Sequence, residues 1–344
     1  MIESGPMPVL KRLQAFFDRW RLPPPPVRSI QHDETQPPLV FPGSGGAPFP
    51  ALASLIRHYD GSGNGPRILV FGDSVMQRVS RSDTDQRNLG EMIAAALGGE
   101  PLALSYSAFH PGIYRHLSRV VAQLPNRPEL VILPVNLRCF SPQWDRHPAW
   151  QFEKQIATIE EWLSTPDRPI PPIEDIRETP GFFDAYDAVE VDCALSDLRT
   201  IGAFRALVRS RPAIEDETAH RAREIFIFHY GHRLIPEHRR LRSLQEAIGC
   251  FNAAGCRVFV YATPINIDAC ERLAGPELRS TLRRNIAVLR SAIGDTAYFQ
   301  DWSEAFPGDA FFHEDLATEH LNQTGRTDLA VRIARQVQAD RMID

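Results

Sequence analysis

Hydrophobic and polar positions divide the chain into a regular part and two irregular ones. From Arg67 onward, short unbroken apolar runs alternate with longer stretches of helical period. Ile68 to Phe71, Leu102 to Tyr106, Leu130 to Pro134, Val258 to Ala262 and Ala297 to Asp301 read as strands. A strand buried on both faces carries a continuous apolar run, not an alternating one. Between and after them, Leu89 to Leu97, Ile113 to Leu124, Arg239 to Ala254, Pro276 to Gly294 and Gly325 to Arg341 read as helices. That alternation predicts an α/β fold, a parallel sheet with helices on both faces. The rhythm breaks from about Arg138 to Ile235, which holds helical stretches at Trp150 to Leu163 and Leu198 to Arg209 and the prolines of Pro166 to Pro172. It is too long for a plain connection and reads as an inserted helical cap over the C-terminal edge of the sheet.

Ahead of the sheet, residues 1–66 form a separate N-terminal region. Pro8 to Arg21 has an apolar side (Val9, Leu10, Leu13, Phe16, Phe17, Trp20) and a basic one (Lys11, Arg12, Arg19, Arg21). It reads as an amphipathic helix, packed on its own domain or making a weak contact with an acidic membrane or partner. The polyproline run Pro23 to Pro26 opens a proline- and glycine-rich arm that extends to Pro50, in a chain with 29 prolines. Ala51 to Tyr59 reads as a short helix, and Gly61 to Pro66 as a flexible entry to the first strand. Residues 67–344 form the α/β domain.

Composition narrows the function classes. A net charge of −5 on 344 residues leaves no overall basic field, so nucleic acid is not the expected partner. The five cysteines are scattered, with no C-x-x-C pair, so neither a disulfide framework nor a zinc knuckle is indicated. No secretory signal and no stretch of membrane-spanning length is seen. Reduced thiols in a cytoplasmic protein are the simplest reading.

The candidate chemistry begins where the first strand ends, at Gly72-Asp73-Ser74. A serine at the C-terminal edge of a parallel strand sits where open α/β sheets place ligands. The amides that begin the next helix can stabilise an anionic oxygen there. Near the other end of the chain stands Glu319-His320-Leu321-Asn322-Gln323-Thr324-Gly325. Together these two blocks resemble the nucleophile and closing blocks of the SGNH (GDSL-type) hydrolases. The resemblance covers roughly Arg67 to Arg341 and implies a flavodoxin-like three-layer α/β/α domain. It makes Ser74 the nucleophile and His320 the general base, an imidazole having a pKa close to working pH.

The same resemblance implies an oxyanion hole made of the Ser74 amide, the Gly112 amide and the Asn136 side chain. For Gly112 the alternative is a turn glycine at a strand exit. For Asn136, which lacks the family's flanking glycine and aspartate, it is a loop cap. Where the family carries an aspartate three residues before the histidine, this chain has Ala317. Asp315 is the expected orienting acid, with a backbone carbonyl as the alternative, while Glu319, beside the histidine, is expected to point elsewhere. Asp73 is expected to brace the turn. Neither metal nor organic cofactor is implied.

Further positions have two readings each. Arg138 either binds an anionic substrate or faces solvent. Asn266, closing Thr263-Pro264-Ile265-Asn266 at a strand end, is expected to border the pocket as a substrate contact. That feature and the insertion loosely resemble SGNH relatives among bacterial polysaccharide O-acyltransferases and teichoic-acid-modifying proteins. Trp144, Trp150 and Trp162 fit a sugar or acyl pocket, or core packing. His229, His232 and His238 include an H-x-x-H pair but lack a carboxylate or cysteine at ligand spacing, so no metal site is expected. The charged run Arg81 to Arg87 reads as a solvated loop near the site mouth. These readings converge on a serine esterase or acyltransferase acting on a small-molecule or carbohydrate acyl ester. The competing reading is a non-catalytic SGNH-like binding protein, suggested by Ala317 and the altered asparagine block.

Overall fold

A computed structural model describes residues 34–35, 49–99, 101–147, 150–166, 200–210, 217–312 and 319–343. The expected amphipathic helix at Pro8 to Arg21, the polyproline run and Asp315 lie outside the described residues. So do the prolines Pro169 to Pro172 of the insertion.

Five strands form one parallel sheet: β2 (Ile68–Gly72), β4 (Leu102–Ser105), β5 (Leu130–Val135), β6 (Arg257–Ala262) and β7 (Tyr298–Asp301), in spatial order β4-β2-β5-β6-β7. This is the flavodoxin-like order, in which the second sheet strand lies outside the first and the rest follow on the other side. The chain therefore reverses direction across the sheet between β2 and β5, and the loops leaving these two neighbours part to opposite faces. Open α/β sheets place their ligand-binding crevice at such a point, outside the C-terminal edge. Two further short strands, β1 (Glu34–Thr35) and β3 (Val79–Ser80), pair antiparallel beside it.

The apolar runs explain the layers. Along β2 every residue is buried, and alternate side chains enter two different cores. Leu69 and Phe71, with Val131, Leu133 and Val135 of β5, pack with Ile113 and Leu117 of helix Pro111–Gln123 and Leu241 and Leu244 of helix Arg239–Ala253. Ile68 and Val70, with Leu130 and Ile132, pack with Leu89 and Ile93 of helix Leu89–Leu97 and Leu329 and Ile333 of helix Gln323–Ala339. Each such side chain, fully buried, stabilises the fold by about 1.5–3 kcal/mol relative to exposure.

Two segments share the first core. Helix Pro50–Tyr59 contributes Leu52, Leu55 and Tyr59, all at 0% exposure. The described part of the insertion contributes Phe152, Ile159, Trp162, Phe226 and Tyr230. The insertion is therefore continuous with the α/β core through its apolar side. Its helix Glu217–Tyr230, and helix Ile267–Ala274 after β6, are elements the apolar pattern does not predict. Among the described residues no helix is long and apolar enough to cross a membrane.

Candidate active site

The strand-to-helix turn after β2 is tight, and its residues are chosen for that. A Cβ on Gly72 would fall 2.6 Å from the Met76 Cβ, so only glycine fits where the chain folds back. Asp73 then caps helix Ser74–Gln77, accepting a hydrogen bond from the Val75 amide at 2.8 Å. This fixes Ser74 as the first helical residue, buried at 6% exposure.

The second block is held with equal economy. The Asn322 Oδ1 caps helix Gln323–Ala339 by accepting from the Gly325 amide at 3.1 Å, and the Asn322 amide donates to the Ala310 carbonyl at 2.9 Å. A Cβ on Gly325 would meet that same Ala310 oxygen at 2.4 Å. The H-L-N-x-x-G pattern is thus an anchor for the loop that presents His320. Its start is also pinned from the side. Arg326, with no exposed side-chain surface, pairs with Asp83 at 2.8 Å, and Gln323 accepts from the Asp85 amide at 2.9 Å. The run Arg81 to Arg87 is therefore not simply a solvated loop. Asp83 and Asp85 hold the start of the helix that follows His320 in place.

These two anchors bring His320 Nε2 to 3.2 Å from Ser74 Oγ. Arg138 Nη2 donates to the same oxygen at 3.1 Å. A guanidinium cannot accept a hydrogen bond, so the hydroxyl accepts from Arg138, and with His320 as the Nδ1–H tautomer its own proton can go to Nε2.

Arg138 is buried and does not face solvent, correcting that expectation. Its Nη1 bonds Glu319, and its Nη2 lies 3.4 Å from Asp73 Oδ2. Burial alone would lower its pKa, but the Glu319 and Asp73 carboxylates outweigh this and raise it. Asp73 goes the opposite way to most carboxylates: burial pushes it up, and Arg138 only partly opposes. Glu319, expected to point elsewhere, is 1% exposed and joins the site, taking the Tyr230 hydroxyl on its other oxygen. Burial, with Glu319 adding to it, raises Tyr230 well above the usual phenol range, so it is a donor. Sequence reasoning missed Tyr230 because it closes a helix with little apolar periodicity. Glu319 stood in plain view beside His320, but its direction is a tertiary fact.

The remaining expected positions fall as follows. Asn136 accepts from the Arg138 amide at 3.2 Å, capping the short turn Leu137–Phe140, and its Nδ2 donates to Asp73 Oδ2 at 3.2 Å. It stands one contact from Ser74, through Asp73, and its amide carries a second N–H. The Gly112 amide is taken by His110 Nδ1 at 3.0 Å, while the opposite ring nitrogen of His110 donates to the Trp150 carbonyl at 2.7 Å. Gly112 lines, with Arg115, Arg239 and Arg240, a cleft that neither Ser74 nor His320 borders. Its N–H is a helix-start donor already in use, which corrects the expectation of an oxyanion contact. Asn266 is fully buried and caps helix Ile267–Ala274 by accepting from the Ala269 amide at 3.1 Å, so its side-chain oxygen is committed to the fold and not to a substrate. Trp162 is in the core, whereas Trp144 and Trp150 stack at 3.8 Å and Arg138 lies 4.3 Å over the Trp144 ring. Among the described residues no three His, Cys, Asp or Glu side chains are grouped to hold a metal ion.

No family model and no curated protein matches this chain. Among solved structures it is similar to a catalytic mutant of Axe2, an acetylxylan esterase from Geobacillus stearothermophilus. The two share 13% identity and a TM-score of 0.39, over 80% of this chain and 95% of that one. It is also similar to Est2A, an acetyl xylan esterase from the rumen bacterium Butyrivibrio proteoclasticus, at 10% identity and a TM-score of 0.32 over 81% and 64% of the two chains. Likeness at this level carries no argument about activity. The chain resembles the SGNH hydrolases in its two motif blocks and their order, and its sheet has the flavodoxin-like strand order that this resemblance implies.

Proposed function

We propose that this protein is a serine-dependent ester hydrolase or acyltransferase that works through an acyl-serine intermediate on a small-molecule or carbohydrate ester. The observation that carries the reading is the 3.2 Å contact between His320 Nε2 and Ser74 Oγ, both buried at the C-terminal edge of β2 where the sheet order reverses. A nucleophile and base within hydrogen-bond reach at a ligand-binding edge is the minimal apparatus of acyl transfer.

In the first half-reaction His320 Nε2 takes the Ser74 proton while Oγ bonds the ester carbonyl carbon, and the carbonyl π pair moves to its oxygen. Collapse breaks the bond to the alcohol oxygen, which receives the proton from His320. In the second half, water or an acceptor hydroxyl attacks the acyl-serine with His320 again as base. Which of the two wins decides hydrolysis or transfer. For the oxyanion the candidate donors are the Ser74 amide, at a helix start, and the second N–H of Asn136. Asp315 is the candidate to orient His320.

Labelling with a fluorophosphonate, followed by peptide mapping, tests the reading. Label on Ser74 that disappears in Ser74→Ala and in His320→Ala is expected. A folded wild type that does not label overturns it and favours a binding role. For the finer choice, release of product that rises with added sugar alcohol identifies a transferase.

A further inference from the structure

We propose that Arg138 is a catalytic residue that acts on the oxygen of Ser74, and not a ligand for an anionic substrate. The inference rests on the serine reading above and goes beyond it, by giving the nucleophile a fixed cationic partner from the β5 side of the crevice.

The first support is the occupancy of the guanidinium. Nη1 is taken by Glu319, and Nη2 is shared between Ser74 Oγ at 3.1 Å and Asp73 Oδ2 at 3.4 Å. One face is covered by the Trp144 ring at 4.3 Å. The side chain is 7% exposed, and its two carboxylate partners are 6% and 2% exposed. A substrate carboxylate arriving here would meet two acidic side chains already competing for one cation, in a poorly hydrated place where like charges repel strongly. Arg138 is therefore ill suited to recognise an anion and well placed to hold a hydroxyl.

A second support is the direction of the hydrogen bonds around Oγ. The oxygen accepts from Arg138 and, with His320 as the Nδ1–H tautomer, donates to Nε2, so the two contacts do not compete for the proton. As His320 removes that proton, Oγ carries its excess negative charge before its bond to the carbonyl carbon is complete, and the Arg138 N–H···O contact is strongest at that stage without any group having to move. Such a preset donor acts more on the transition state than on the ground state. Its charge is secure, because Glu319 and Asp73 raise the pKa of Arg138 despite its burial.

The Gly112 amide is bound by His110, and one Asn136 N–H is bound by Asp73. Donors expected to face the reacting centre are thus partly committed elsewhere. The Tyr230–Glu319–Arg138 chain then links the insertion, the residue before His320 and the nucleophile through consecutive hydrogen bonds.

The test compares wild type with Arg138→Lys and Arg138→Ala, using the rate of fluorophosphonate labelling of Ser74 and the hydrolysis of the neutral ester 4-nitrophenyl acetate, each from pH 5 to 9. Arg138→Lys keeps a charge for Glu319 but not the fork that also reaches Ser74. It is expected to fold and to label at least 10-fold more slowly. Arg138→Ala is expected to lose about 10²–10³-fold on the neutral ester, mainly in kcat. Added guanidinium is expected to restore at least 10-fold of that loss, which a merely structural role would not show. Its acid limb should move to higher pH, since a cation near His320 is gone. Arg138→Lys labelling within about 2-fold of wild type overturns the proposal. So does an Arg138→Ala defect that guanidinium does not relieve and that leaves the pH limb in place. A wild type that fails to label at all overturns the serine reading instead, so the two failures are distinct. Should Arg138→Ala not fold, the lysine variant alone decides.

Discussion

Ser74 and His320 meet across 246 residues of chain, at 3.2 Å, because two unrelated anchors end at the same edge of one sheet. The serine is set by the Gly72-Asp73 turn after β2. The histidine is set by Asn322 and Gly325 on the Ala310 carbonyl. Neither anchor touches the reacting atoms, and each has its own measurable cost of removal.

Gly325→Ala is expected to damage the site from a distance. Its new methyl would lie 2.4 Å from the Ala310 oxygen, which is backbone and cannot step aside cheaply. Overpacking of this kind typically costs about 1–3 kcal/mol. Thermal melting should report that loss, and Ser74 labelling should slow along with it. Full labelling at a lowered melting temperature would show that the histidine loop does not depend on this anchor.

Arg326 is a buried cation whose partner, Asp83, belongs to the charged run that follows the Ser74 turn. Removing one member of a buried pair strands the other and costs about 3–5 kcal/mol. Arg326→Met should therefore destabilise strongly, and Asp83→Asn in the same background should add much less than it does alone. Denaturant unfolding in a double-mutant cycle measures this. Additive losses would mean the pair is not coupled.

Tyr230→Phe removes one hydroxyl and nothing else. That hydroxyl donates to a buried carboxylate, and hydrogen bonds to charged groups are worth about 1.5–3 kcal/mol. A comparable loss of stability is expected, with Ser74 labelling reduced because Glu319 would no longer be shared between insertion and Arg138. Unchanged melting would detach the insertion from the site.

Acid should loosen this protein before its carboxylates titrate. His229 and His232 are both depressed to about 3 by burial, aided by Arg138 for the first and His238 for the second. His147 and His238 are lowered to about 4, again chiefly by burial. An unfolded histidine titrates near 6.5, so below that pH the unfolded chain binds protons that the folded one refuses. Stability is thus intact above about pH 7 and falls as pH drops from about 6.5 toward 4, by at most about 1.4 kcal/mol per pH unit for each histidine. Chemical denaturation between pH 8 and 5 measures the slope. His232→Gln should flatten it, and an equal slope in that variant would assign the proton uptake elsewhere.

Much of this was legible along the chain. The strands β2, β5 and β6 fall where the unbroken apolar runs lie, within a residue, because burial on both faces of a parallel sheet demands that kind of run. The edge strands β4 and β7 are only partly buried and carry mixed runs, placed by the alternation with helices. The serine turn and the H-L-N-x-x-G block were legible for a related reason. Gly72, Asp73, Asn322 and Gly325 act on neighbours within four residues or on backbone that must pass close by, and such local demands leave a local signature. Helix Glu217–Tyr230 was not legible, because its apolar residues contact several elements and carry no clean stripe.

Sequence alone determined the sheet, its helices, and the two blocks that carry Ser74 and His320, since each follows from short-range preferences and a repeated apolar period. Only the tertiary structure decided what surrounds them. Gly112 and Asn266 are the exceptions, since helix caps within two and three residues already occupy them, a local signal open to reading along the chain. Arg138 looks like a surface charge, yet folding removes its water and leaves two carboxylates and the serine as replacements. A buried polar group must find partners wherever the fold supplies them, and those partners come from 63 to 246 residues away, beyond the reach of any local pattern.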